Sequence, residues 1–212
     1  MSNWRNGVCL LLVILVAVLT GCTGKSEPTS FYMLRSLEEF PGLRPAGSDI
    51  SVLVGPVSVP TYLDRSQIMA RQEGVEVIVH DFDHWAEPLD KNVKRVLIDN
   101  LSAFLGTAMV YDFENSRSPD TDFQLQVEVS RFDYTKQGTA VFIAFWTLYD
   151  AEGEITSRNK TVMTAEAAGE GMASMVAAQN TLVTNFSKNV ANELISQSSR
   201  TRLPNKEKPG SQ

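Results

Sequence analysis

Residues 88–106, Pro-Leu-Asp-Lys-Asn-Val-Lys-Arg-Val-Leu-Ile-Asp-Asn-Leu-Ser-Ala-Phe-Leu-Gly, carry the period that decides the fold. Leu89, Val93, Val96, Leu97, Leu101, Phe104 and Leu105 recur so that all fall on one face of a helix. Pro88 suits the first turn, where its missing N–H is not needed. Asp90 complements the positive end of the helix dipole, and Gly106 suits the C-terminal cap. The same period returns in Met172, Met175, Val176, Leu182, Val183, Phe186, Val190 and Leu194, predicting a long amphipathic helix that ends near Gln197.

Elsewhere the period falls to two. Phe31–Arg35 reads as a short first strand, followed by a loop through Ser48. Ile50–Val59 alternates up to an interruption at Gly55-Pro56, and Gln67–Arg71 with Val75–Val79, separated by Glu73-Gly74, reads as a hairpin. Phe123, Leu125, Val127 and Val129 alternate with polar residues, after which the phase slips to Phe132 and Tyr134. That slip predicts a bulge near Ser130-Arg131 within the strand Asp122–Tyr134. Ala140–Tyr149 is apolar at both parities, which predicts a central strand covered on both sides. Asp150-Ala151-Glu152-Gly153 then turns the chain into Glu154–Ala165. The expected class is α+β: a largely antiparallel mixed sheet with two long amphipathic helices packed on it.

The N-terminus is an address. Arg5 supplies a positive region, and Val8 to Leu19 is an apolar run of twelve residues. As a helix that run is about 18 Å long, short of the roughly 30 Å hydrocarbon core, so it suits a signal h-region better than a span. Leu19-Thr20-Gly21-Cys22 resembles a bacterial lipobox, which implies cleavage before Cys22 and acylation of its sulfur and new amino group. The reading divides the chain into a signal peptide at 1–21, a lipidated tether at 22–30, one domain at 31–197 and a disordered tail at 198–212.

Losing the first 21 of 212 residues leaves 191, enough for one domain with a real core. Arg5 is the sole charge lost, so the net charge moves from −6 to −7, which argues against nucleic-acid binding. Cys9 leaves with the signal and Cys22 is consumed by lipid, so no disulfide is expected even in an oxidising compartment.

No constellation for catalysis stands out. In His80-Asp81-Phe82-Asp83-His84, a regular strand sets the two imidazoles about 13 Å apart and turns the aspartates to the other face. One zinc cannot bridge that gap, and no third nitrogen or sulfur is offered, so no metal or other cofactor is expected. Gly169-Glu170-Gly171-Met172-Ala173-Ser174 lacks the third glycine of a dinucleotide fingerprint and follows a hairpin. G-x-S-x-G, H-E-x-x-H and Walker patterns are missing, so the chain is not expected to be an enzyme. An envelope hydrolase using the His80–His84 region stands as the rival, tested by alanine replacement of both histidines.

Two segments, Val57-Ser58-Val59-Pro60-Thr61-Tyr62-Leu63 and Trp85-Ala86-Glu87-Pro88-Leu89-Asp90, follow the lipobox in this order. Together they resemble the auxiliary lipoproteins of MCE-type intermembrane transport systems. The resemblance implies a periplasm-facing subunit on the inner leaflet of the outer membrane, a ring of copies, and an MCE-domain tunnel protein as partner. Thr23 fits this sorting, since Asp after the acylated cysteine is the familiar inner-membrane retention signal. The candidate contact residues are Tyr62, Leu63, Asp64, Arg65, Trp85, Glu87 and Leu89. Trp85 reads either as an interface anchor or as core where strand meets helix, the second being favoured because a proline-led helix start needs a fixed approach. For the Tyr62–Arg65 loop, contact and fold support stand level. A lipoprotein partner of an outer-membrane barrel or a cell-wall synthase is the alternative.

Overall fold

The computed structural model describes residues 28–37, 48–72, 75–115 and 120–201. The expectations at Cys22, over most of the tether and beyond Thr201 lie outside these residues. Among the described residues no helix is long and apolar enough to cross a membrane.

The spine of the sheet is β6 (Phe123–Thr135), which is antiparallel to β7 (Thr139–Asp150), itself antiparallel to β8 (Ile155–Glu166). On its other edge β6 is shared by two strands. Its first half runs parallel to β2 (Val52–Ser58), and its end runs parallel to β3 (Gln67–Arg71). The sheet continues from β2 to β5 (Val110–Asp112) and from β3 through β4 (Val77–Trp85) to β1 (Ser30–Tyr32). The two longest ladders are antiparallel, while four shorter pairings are parallel. Helices α1 (Leu89–Leu105) and α2 (Met172–Thr201) pack on each other and on the sheet, giving the expected α+β architecture.

Both helices follow the sequence period. Gly106 caps α1 at φ 64° and donates its N–H to Ser102 O, which satisfies an orphan carbonyl. The expected end of the second helix near Gln197 is too early: α2 continues to Thr201, and Ser199 Oγ bonds back to Ile195 O within the added turn. The core under the helices is aromatic. Phe142 lies 5.8 Å from Phe132 and 5.0 Å from Phe186, and Trp146 stands T-shaped to Phe186 at 6.2 Å.

The β6 bulge sits between Val129 and Arg131, as the phase slip predicts. It returns Phe132 and Tyr134 to the helix-covered face and turns Arg131 and Asp133 outward. The expectation that β7 is covered on both sides is corrected. Ala140, Phe142, Ala144, Trp146 and Leu148 are buried, whereas on the opposite parity Val141 is buried but Phe145 is 41% exposed. Polar neighbours shield that outer face in place of a helix: Lys160 Nζ lies 5.3 Å above the Phe145 ring. The hairpin strand is also longer than Val75–Val79, since pairing with β1 keeps residues 83–85 extended. The first strand is shorter than Phe31–Arg35, ending at Tyr32. In β2, Gly55 holds φ +133°, and a Cβ there would lie 2.7 Å from Phe113 Cβ, so glycine is required by both backbone and space.

Candidate functional site

The two motif segments lie twenty-odd residues apart in sequence and meet in space. After β2 the chain turns tightly, with Leu63 N donating to Pro60 O at 2.8 Å and Asp64 N to Thr61 O at 3.2 Å. The turn drops Leu63 into the core, half-buries Tyr62, and leaves Asp64, Arg65 and Ser66 exposed before β3 begins. The second segment ends β4 at Trp85 and bends through Ala86 and Glu87 to Pro88, whose carbonyl accepts from Asn92 N at 3.0 Å. Trp85 N donates to Ser66 O at 2.7 Å, which stitches the second segment to the turn that follows the first. A cleft of about 280 Å³ opens at this junction, walled by Asp64, Arg65, Ser66, Trp85, Ala86, Glu87 and Pro88.

Burial sorts the sequence candidates. Leu63, Trp85 and Leu89 are 3%, 5% and 2% exposed, and Trp85 stacks on Phe132 with centroids 6.2 Å apart. Trp85 forms one wall of the cleft, and all three side chains, enclosed by the core, have little surface to offer a partner. Asp64, Arg65 and Glu87 stand at the rim. Tyr62 serves a different site on the outer face of the sheet. There Asp133, 1% exposed, accepts from Arg131 Nε at 2.8 Å, Arg71 Nε at 3.3 Å and Tyr62 Oη at 3.4 Å. Burial and the Asp133 charge push the Tyr62 hydroxyl above its ordinary pKa against the opposing pull of Arg71. The Arg71 guanidinium is also raised: burial acts against its charge, and Asp133 and Tyr62 outweigh it.

Glu87 joins this cleft to a second, charged one of about 480 Å³. Its Oε1 accepts from Arg95 Nη2 at 2.8 Å, and Arg95 also reaches Leu34 O and Asn92 Oδ1. Beyond it Lys94, 7% exposed at its side chain, is held by Asp112 at 2.8 Å and Glu114 at 3.0 Å. Burial works to raise the Asp112 pKa, but hydrogen bonds from Lys94 and the Glu114 backbone prevail and hold it below the usual range. Glu114 is lowered chiefly by its hydrogen bond from Lys91, which is raised in turn. Sequence reasoning did not single out this network. Its signal was Lys94, a charged residue interrupting the apolar stripe between Val93 and Leu97.

The histidines part company. His80 Nε2 and Tyr134 Oη are 2.6 Å apart, while His84 Nε2 is 3.0 Å from Asp81 O. The expectation that both aspartates point away is corrected for Asp83, whose Oδ2 lies 3.8 Å from His80 Nδ1. Three surplus residues bulge from β4 between its pairings with Met69 and Gln67, and that breaks strict alternation. The Gly169–Ser174 stretch is a helix start: Ser174 Oγ accepts from Gly169 N at 2.8 Å.

Residues 32–191 match the model of the family described as ABC-type transport auxiliary lipoprotein component. The Intermembrane transport lipoprotein PqiC of Escherichia coli (strain K12) is 24% identical over 148 residues, spanning 70% of this chain and 77% of the relative. The Shigella flexneri protein of that name gives the same figures. Among solved structures, an uncharacterized protein superposes with a TM-score of 0.67 at 23% identity, covering 79% of this chain and 99% of its own. A Xanthomonas campestris protein gives 0.66 at 18% identity, covering 82% and 99%. These structures share the fold. With the family match spanning most of the chain, the protein belongs to the ABC-type transport auxiliary lipoproteins.

Proposed function

We propose that this lipoprotein is a non-catalytic subunit of an MCE-type intermembrane lipid transport system. Acyl chains on Cys22 hold it at the inner leaflet of the outer membrane, facing the periplasm, where it docks or positions the MCE-domain tunnel protein and supports envelope integrity. The observation that carries the reading is the open cleft walled by residues 64–66, which follow the first motif segment, and by residues 85–88 of the second, with Asp64, Arg65 and Glu87 as charged groups beside the buried Trp85. Family membership and the name of the Escherichia coli relative support a transport role over the barrel-partner and synthase-partner alternatives. Several copies in a ring suit the task, because weak contacts on one membrane add by avidity.

The test is co-purification of the native lipoprotein with an MCE-domain protein. The complex is expected with the wild-type chain and is lost on combining Arg65→Glu with Glu87→Lys at the cleft rim. Recovery of the lipoprotein without any MCE-domain protein, or with one that the double variant still binds, overturns the reading.

A further inference from the structure

We infer that the β1–β4 edge is a lipid-facing surface on which the domain rests against the membrane that carries its anchor. Phe31, Met33 and Phe82 are 65%, 50% and 43% exposed. Phe31 pairs with His84 across the parallel β1–β4 ladder, and the two rings meet edge-on at 5.7 Å. Phe82 lies just before the β1-paired residues 83–85 and Met33 just after the end of β1, so all of them stand at the same edge of the sheet. Large apolar side chains are thereby gathered at the strand that receives the N-terminal segment.

The length of that segment chooses the occupant. Ser30, where β1 starts, is eight residues after Cys22, a separation that spans at most about 26 Å. A folded unit of about 170 residues has a radius of gyration near 15 Å and is roughly 40 Å across. A chain anchored through Cys22 therefore holds down the face where it enters, while the far side of the sheet is beyond reach of the headgroups. Aromatic rings also suit the interface between headgroups and acyl chains. Phe145 and Val162 are exposed as well, but β3 and β6 separate their strands from β4, which sets them farther from the strand that receives the tether. Ala86 N donates to Tyr32 O at 2.8 Å, so this orientation also holds the docking cleft beside the membrane.

The inference rests on the anchor in the proposed reading, and the test separates the two. The mature chain has no cysteine besides Cys22. Phe31→Cys, Phe82→Cys, Phe145→Cys and Val162→Cys each give the lipidated protein one site for an environment-sensitive dye. Mass measurement of Cys22 comes first, and an unacylated cysteine overturns anchor and surface together. On vesicles of phosphatidylethanolamine and phosphatidylglycerol, dyes at 31 and 82 shift to the blue and are quenched by a lipid-borne nitroxide. Dyes at 145 and 162 keep their solvent emission. Two results overturn the surface alone: solvent emission at 31 and 82, or a blue shift that the lipid quencher does not reach, which assigns the face to a second copy of the chain.

Discussion

Replacing Asp133 by alanine tests how the outer face of the sheet is held. The carboxylate is 1% exposed and is the shared acceptor of Arg71, Arg131 and Tyr62, whose ring also lies 5.8 Å from the Arg71 guanidinium. Alanine leaves two guanidinium groups side by side without a counter-charge and one phenol without an acceptor. Removing one partner of a buried ion pair costs about 3–5 kcal/mol. Here Arg71 and Arg131 keep 34% and 24% exposure. Water recovers part of the freed charge, and the expected loss is about 2–3 kcal/mol. For a domain of this size that corresponds to a fall in Tm of roughly 4–12 °C. Urea unfolding followed by circular dichroism measures the loss, and repeating it in 1 M salt separates charge from packing. At that ionic strength the Debye length is about 3 Å, so repulsion between the arginines is screened and the deficit shrinks. Asp133→Asn, which keeps an acceptor, falls between alanine and wild type. A loss below about 0.5 kcal/mol, or one that salt does not touch, refutes the account.

Trp85→Ala, which removes one wall of the cleft and its stacking on Phe132, is expected to destabilise by about 3–5 kcal/mol, measured by the same unfolding curves. Glu87→Gln breaks a partly exposed pair with Arg95 and should cost at most about 1 kcal/mol, so a selective loss of partner capture by this variant isolates recognition from stability. Gly55→Ala forces an L side chain into φ +133° and against Phe113; the backbone strain alone costs about 1–3 kcal/mol, visible as a lowered urea midpoint. Stability should also fall at high pH. Burial, then the charge of Asp83, raises the Tyr134 hydroxyl well above the usual tyrosine range, while burial and Asp83 raise Tyr32. A raised folded pKa means the folded state keeps its proton when the unfolded chain loses it, so this stability is intact below about pH 10 and drains above it. Tyr134 contributes a slope approaching about 1.4 kcal/mol per pH unit, and Tyr134→Phe should flatten the decline in urea midpoint between pH 9 and pH 11.

Much of the fold was legible because it rests on local periods. The α1 stripe from Leu89 to Leu105 and the α2 stripe from Met172 to Leu194 declare themselves, as does the Ser130-Arg131 slip. The His80–His84 segment was legible as extended chain but not in its alternation, because the bulge in β4 arises in the pairing with β3 and β1, partners that leave no period in the segment itself. The outer face of β7 misled for a related reason. An apolar face reads alike whether a helix covers it or a lysine stem such as that of Lys160 lies over it. The candidate site was half legible: both segments could be picked out as strings, but contact and support residues could not be separated within them. Trp85 and Leu63 are of types that serve cores and interfaces equally, and burial alone sorted them from Asp64, Arg65 and Glu87.

By itself the sequence determined the helices, the strand phases, the α+β class, and a signal and lipobox pattern that directs attention to Cys22, since each depends on residues within a few positions of one another. Tertiary structure alone decided that Ser66 meets Trp85, that Lys94 is enclosed by Asp112 and Glu114, and that Asp133 is buried among arginines on an otherwise open face. Ser66 and Trp85, Lys94 and Asp112, and Arg71 and Asp133 are each far apart in the chain. Their energies depend on distance and exclusion of water, which exist only once the sheet has set β2 and β3 against the same edge of β6.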